Sequence, residues 1–149
     1  MCVNLKKTLT LFLFIIFATS CKKQNINSSA NNPVPSVPVN LIVYPDNPLN
    51  FTLQSIGGWA YFDGGINGIV IYRKSQEEFV ALERTSSYLP NNINARVKVM
   101  SDNFTLQDSI SNSRWRLFDG EIIQGPAQWP LRTYATNFNT ANGILMVSN

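Results

Sequence analysis

Short runs rich in β-branched and aromatic residues, cut every few positions by Gly, Pro or Asn, recur from residue 50 to the end of this chain and restrict it to an all-β fold. The runs are Asn50 to Gln54, Trp59 to Phe62, Gly68 to Tyr72, Phe79 to Arg84, Ala95 to Met100, Phe104 to Asp108, Arg114 to Phe118, Leu131 to Phe138 and Ile144 to Val147. Such residues suit a pleated, half-buried surface, and the punctuating residues suit turns. No window of helical period competes except Gln76 to Glu83, where Phe79, Val80 and Leu82 fit either period over so short a run. Arg96, Lys98 and Met100 alternate with Val97 and Val99, as a strand with one wet face requires. Asp119-Gly120, between two apolar runs, predicts a two-residue hairpin turn with both positions at positive φ.

The N-terminal part reads differently. Lys6 and Lys7 precede the apolar run Leu9 to Phe17, which is too short to span a hydrocarbon layer of roughly 30 Å but has the length of a signal-peptide core. The run ends in Ala18-Thr19-Ser20-Cys21, which resembles the lipobox of bacterial lipoproteins. That resemblance implies a signal peptide over residues 1–20, lipidation of Cys21, and anchoring in a bacterial membrane, with the periplasmic face of the outer membrane as the expected site. Residues 22–38 are rich in Lys, Gln, Asn and Ser and carry Pro33, Pro35 and Pro38, so residues 21–39 are expected to be a disordered lipidated tether and residues 40–149 the folded domain.

Elimination narrows the chemistry. Cys2 belongs to the signal-peptide segment and Cys21 to the anchor, and the chain contains no histidine. A mature domain without thiol or imidazole has no Cys/His or Ser/His/Asp nucleophile system and no zinc site of the nitrogen and sulfur type. The formal charge of +3 belongs to the N-terminal segment. Without Lys6, Lys7, Lys22 and Lys23 the count is 8 basic against 9 acidic residues, so residues 24–149 carry −1. Nucleic acid is therefore not an expected partner.

In the second half, the segments Arg84-Thr85-Ser86-Ser87-Tyr88-Leu89-Pro90, Asp108-Ser109-Ile110-Ser111-Asn112-Ser113-Arg114-Trp115, Asp119-Gly120, Gly125-Pro126-Ala127 and Pro130-Leu131-Arg132-Thr133-Tyr134 stand in a telling order. This order resembles the landmarks of a Rieske-type [2Fe–2S] domain. The earlier stretch Gly57 to Gly65, leading to Gly68 to Arg73, is similar to Rieske-like lipoproteins of Bacteroidota. The resemblance implies a small β-sandwich built from the early and late strands, with a loop-bearing lobe around residues 84–130 whose loops 84–90 and 108–115 meet at one tip.

It also implies where cluster ligands would stand, and there the chain departs from the family. Ser86 and Tyr88 occupy the first Cys-x-His pair, and Asp108 and Ser111 the second Cys-x-x-His pair. Two thiolates and two imidazoles hold such a cluster. Four oxygen-bearing side chains in their place lead to the expectation of no cofactor, no metal and no catalysis: a clusterless, membrane-tethered binding or accessory module with an unidentified protein partner. The alternative is a Rieske-type electron-transfer protein that retains a [2Fe–2S] centre through unusual ligands. Ser113 matches the family's supporting serine, and Asn112 replaces a glycine at a position that Asn tolerates. Trp59, Trp115, Trp129, Tyr61, Tyr72, Tyr88 and Tyr134 are expected mainly as core or cross-strand residues, and Lys74 with Glu77 and Glu78 as a charged turn.

Overall fold

The computed structural model describes residues 32–149. Residues 1–20, expected as a signal peptide, together with Cys21 and residues 22–31, lie outside the described residues. Within them the chain is almost entirely β: β1 (Asn40–Val43), a 3-10 helix (Pro48–Leu53), β2 (Trp59–Phe62), β3 (Ile69–Arg73), β4 (Phe79–Glu83), β5 (Lys98–Val99), β6 (Thr105–Gln107), β7 (Arg114–Arg116), β8 (Ile122–Gln124), β9 (Thr133–Asn139) and β10 (Ile144–Ser148). No helix among the described residues is long and apolar enough to cross a membrane.

Early and late strands combine in a six-stranded sheet of order β1-β10-β9-β4-β3-β2, and the residues between them form a four-stranded sheet, β5-β6-β7-β8. All the pairings are antiparallel. Val43, Ile71, Ala81, Leu145 and Val147, drawn from both halves of the large sheet, share one apolar cluster, so that sheet curls around its own core. The opposite faces of β3 and β4 present Val70 and Leu82 to a second cluster with Val97, Leu106, Trp115, Leu117 and Leu131. β3 and β4 are thus covered on both sides, which explains why they read as continuous apolar runs rather than alternating ones. Side chains of edge strand β2 tie the two sheets together: the Tyr61 hydroxyl accepts from the Val99 N–H at 2.8 Å, and Trp59 Nε1 donates to Asn103 Oδ1 at 3.0 Å.

The all-β expectation and the division into a large sheet and a loop-bearing lobe match this architecture; four details do not. Asn50 to Gln54, expected as a strand, lies mostly in the 3-10 helix, which Asn47 caps and Pro48 opens. The same pentapeptide, Asn-Phe-Thr-Leu-Gln, recurs at residues 103–107 and there contains β6. Leu53 and Leu106 are both fully buried, so burial of the leucine is common to the two copies while the backbone follows the surroundings. Strand β1 and strand β8 were not expected. The turn between β7 and β8 is longer than two residues, because Arg116 N–H donates to Glu121 O and Gly120 N–H to Arg116 O; Gly120 takes φ 77° but Asp119 does not go positive. Finally, residues 32–38, expected in the disordered tether, lie on the domain: Val34 is fully buried, its carbonyl accepts from Arg132 Nε at 2.9 Å, and Asn32 Nδ2 donates to Pro130 O at 2.9 Å. Prolines at 33, 35 and 38 interrupt the apolar content of this segment, yet one buried valine and the bonds beside it dock it.

Candidate functional site

Strand β4 ends on a buried charge. Phe79, Ala81 and Glu83 alternate toward the core of the large sheet, which carries the Glu83 carboxylate into the interior, fully buried and without a cation partner among the described residues. Five donors surround it. Oε1 accepts from Asn67 N–H (3.0 Å), Thr85 N–H (2.9 Å) and the Thr85 hydroxyl (2.8 Å); Oε2 accepts from Ile66 N–H (2.8 Å) and the Tyr134 hydroxyl (2.6 Å). Burial pushes the carboxyl up, but the donors together outweigh it and hold Glu83 below the usual carboxylate range. Burial likewise pushes the Tyr134 phenol up, and its bond to Glu83 adds to that. Gly65 passes so close that a Cβ there would stand inside the carboxylate and 2.6 Å from the Tyr134 hydroxyl.

This carboxylate anchors the first loop. After Glu83 the chain stays buried through Arg84, Thr85, Ser86 and Ser87. Ser86 N–H donates to Ala95 O at 2.9 Å, its Oγ accepts from Tyr88 N–H at 3.3 Å, and the Tyr88 side chain is exposed. In the second loop Asp108 is fully buried. Its Oδ1 accepts from Ile110 N–H at 2.9 Å and its Oδ2 from the Ser111 hydroxyl at 2.7 Å. Ser111 Oγ lies 3.0 Å from Ser113 Oγ, which in turn accepts from Ala127 N–H at 3.0 Å. Asn112 adopts φ 58°, the left-handed conformation expected at the place of the family's glycine. The two loops meet on one atom: the Trp129 carbonyl accepts from the Ser87 hydroxyl at 2.6 Å and from Trp115 Nε1 at 3.1 Å.

The structure therefore brings Asp108, Ser111 and Ser113 together, and joins their loop to the one bearing Ser86 and Tyr88 through Trp129. These residues do not fit a [2Fe–2S] cluster. Oxygen donors lack the softness that iron–sulfur ligation demands. Among the described residues no group of three or more acidic, His or Cys side chains gathers in a way that could hold a metal ion.

Trp115 and Tyr134 are core residues as expected, Trp59, Tyr72 and Trp129 are half-buried, and Tyr61 and Tyr88 are exposed. Glu77 and Glu78 do form an exposed turn, beside which Lys74 lies over the Phe118 ring at 4.2 Å. Sequence reasoning missed the buried Glu83. A signal for it existed, since an acidic residue in phase with Phe79 and Ala81 must point where they point. The same reading applies to Arg73, in phase with Ile69 and Ile71, which is buried and paired with Asp46 at 2.9 Å.

No family model and no curated protein matches the chain. Among solved structures it is similar to a plasma-membrane Rieske protein from the cyanobacterium Synechocystis, with 15% identity and a TM-score of 0.49 over 76% of this chain and 99% of that one. It is also similar to the ferredoxin of carbazole 1,9a-dioxygenase from Nocardioides aromaticivorans, with 15% identity and a TM-score of 0.47 over 75% of this chain and 97% of that one. A third similar structure, described as a putative NADH-dependent nitrite reductase small subunit from Mycobacterium tuberculosis, shows 14% identity and a TM-score of 0.43 over 76% of this chain and 97% of that one.

Proposed function

We propose that this protein is a membrane-tethered, non-catalytic binding or accessory module on a Rieske-like β scaffold that has lost its cluster. The observation that carries this reading is the Asp108–Ser111 hydrogen bond at 2.7 Å: two side chains at positions where the family's second loop would ligate iron instead satisfy each other. A hydroxyl and a carboxylate so paired rigidify a loop without offering an open coordination position. The Ser111, Ser113 and Ala127 contacts extend the same bonding across the loop tip, and the bonds to Trp129 O hold both loops in one piece. A loop end held this firmly suits a recognition surface. Anchoring through Cys21 supplies the membrane attachment, with the outer membrane facing the periplasm as the proposed location and an unidentified protein as the partner.

The test is chemical. Full-length protein purified from membranes, and again after anaerobic reconstitution with iron and sulfide, is expected to be colourless, with iron and acid-labile sulfide at background. Stoichiometric iron with visible absorbance would overturn the clusterless reading. Attachment is tested separately: Cys21→Ser should abolish processing and membrane retention, and a variant that remained both cleaved and membrane-bound would remove the anchor from this account.

A further inference from the structure

We propose that Arg84 and Arg96 form an oxyanion site that takes a terminal phosphate dianion, either free phosphate or a phosphomonoester headgroup. The starting point is how the cations of the described residues are matched. Arg73 and Arg116 have carboxylate partners in Asp46 and Asp119, and Arg132 is engaged by Val34 O. Arg84 is 8% exposed and has none. Its Nε donates to Val97 O at 3.2 Å and its guanidinium carbon lies 3.5 Å from the centre of the Tyr61 ring. Its terminal nitrogens have no hydrogen-bond partner among the described residues, and they are not among the buried atoms sealed from solvent. The fork is held in place by ring and backbone, with its outer donors open.

A second guanidinium stands beside it. Arg96 faces Thr85 across an isolated bridge, and Val97 N–H donates to Arg84 O at 2.7 Å, so the two backbones are fixed. Arg84 Nη1 and Arg96 Nη2 lie 3.6 and 3.5 Å from the same point, where a Cβ on Gly68 would stand, and the Phe62 carbonyl oxygen lies 3.3 Å from it on the backbone side. Neither guanidinium makes an ion pair among the described residues. Glu83, next in sequence, gives its oxygens to five other donors, and Asp63, directly after β2, makes no ion pair among the described residues. Lys98, two residues on, is exposed like Arg96. Burial, and more weakly the Arg96 charge, push the Arg84 guanidinium below its usual value, against the opposing effects of Tyr61 and Glu83.

Geometry selects the ligand class. A carboxylate satisfies one planar fork, whereas two adjacent forks present more donors and charge than a monoanion can use; a tetrahedral dianion with three free oxygens matches both. The site does not depend on the absence of a cluster, so its failure and that of the clusterless reading are distinguishable.

The experiment follows the Arg Nε–H resonances of the full chain in maltoside micelles at pH 8, with ionic strength fixed by sodium chloride. Titration with sodium phosphate should shift the Arg84 and Arg96 signals with saturation, and sodium acetate should bind at least tenfold more weakly. Phosphatidic acid doped into the micelles tests the headgroup source: a response to it alone assigns the lipid, and a response to free phosphate alone assigns the soluble anion. Arg96→Gln, an exposed change that leaves the core intact, should weaken whichever response is seen at least tenfold, and Arg84→Lys should do the same by removing the fork while keeping the charge. Unaltered binding by Arg96→Gln, acetate binding as tight as phosphate, or no response to either phosphate source would overturn the proposal.

Discussion

A carboxylate sealed from water without a cation beside it, as Glu83 is, depends on the donors it receives. Glu83→Gln keeps the shape but turns one oxygen into an N–H₂ that must face either the Ile66 N–H or the cluster of Thr85 and Asn67 donors. The expected cost is about 1–3 kcal/mol, read as a lower midpoint in urea unfolding. The sign of its pH dependence follows from the depressed carboxyl: the unfolded chain takes up its proton first, near the ordinary value of about 4.3, so the stabilisation is complete above about pH 5 and is lost as pH falls through the lower folded value. Asp119, which the Arg116 and Glu121 bonds hold low despite its burial, acts in the same direction. Glu83→Gln should therefore flatten the fall in stability below pH 5 without abolishing it; an unchanged slope would show that Glu83 is not ionised in the folded protein.

At the scale of elements, the two Asn-Phe-Thr-Leu-Gln copies show what local sequence decides and what it leaves open. Identical residues form a 3-10 helix after Asn47-Pro48 and a strand where β7 offers a ladder, so propensity sets neither outcome. What both share is the leucine. Leu53→Ala and Leu106→Ala should each cost about 2–5 kcal/mol, while Phe51→Ser, on a side chain 71% exposed, should change stability by less than about 0.5 kcal/mol; thermal melts of the three variants check this. Most strands were legible because their runs carry β-branched and aromatic residues between turn formers. β1 and β8 were not, since Asn40–Val43 follows a proline-rich stretch and Ile122–Gln124 is too short to show a period. The candidate site was legible only as a set of positions. Ser86, Tyr88, Asp108 and Ser111 could be named from the resemblance, but that Asp108 and Ser111 bond each other while Tyr88 turns outward depends on where the loops are carried. The Arg84–Arg96 pair escaped for the same reason: its two members are brought together by a bridge between Thr85 and Arg96, not by spacing along the chain.

For the whole molecule, the docked N-terminal segment matters most. Val34 is fully buried, and Val34→Ala should lower stability by about 1.5 kcal/mol, seen as a shifted denaturation midpoint; a variant as stable as the parent would mean that the segment is undocked in solution. Its seat is Pro130 and Arg132, immediately after the Trp129 carbonyl on which both loops are tied. The chain between Cys21 and Asn32 is ten residues long, about 33 Å at full stretch. Among the described residues, a pull exerted from an anchor at Cys21 would load Asn32 and Val34, and with them the contacts to Pro130 and Arg132, before any strand of the large sheet. Tension on the leash would be felt beside the loop tip, and β1, though first in the sheet, would be mechanically shielded until Val34 was drawn from its seat.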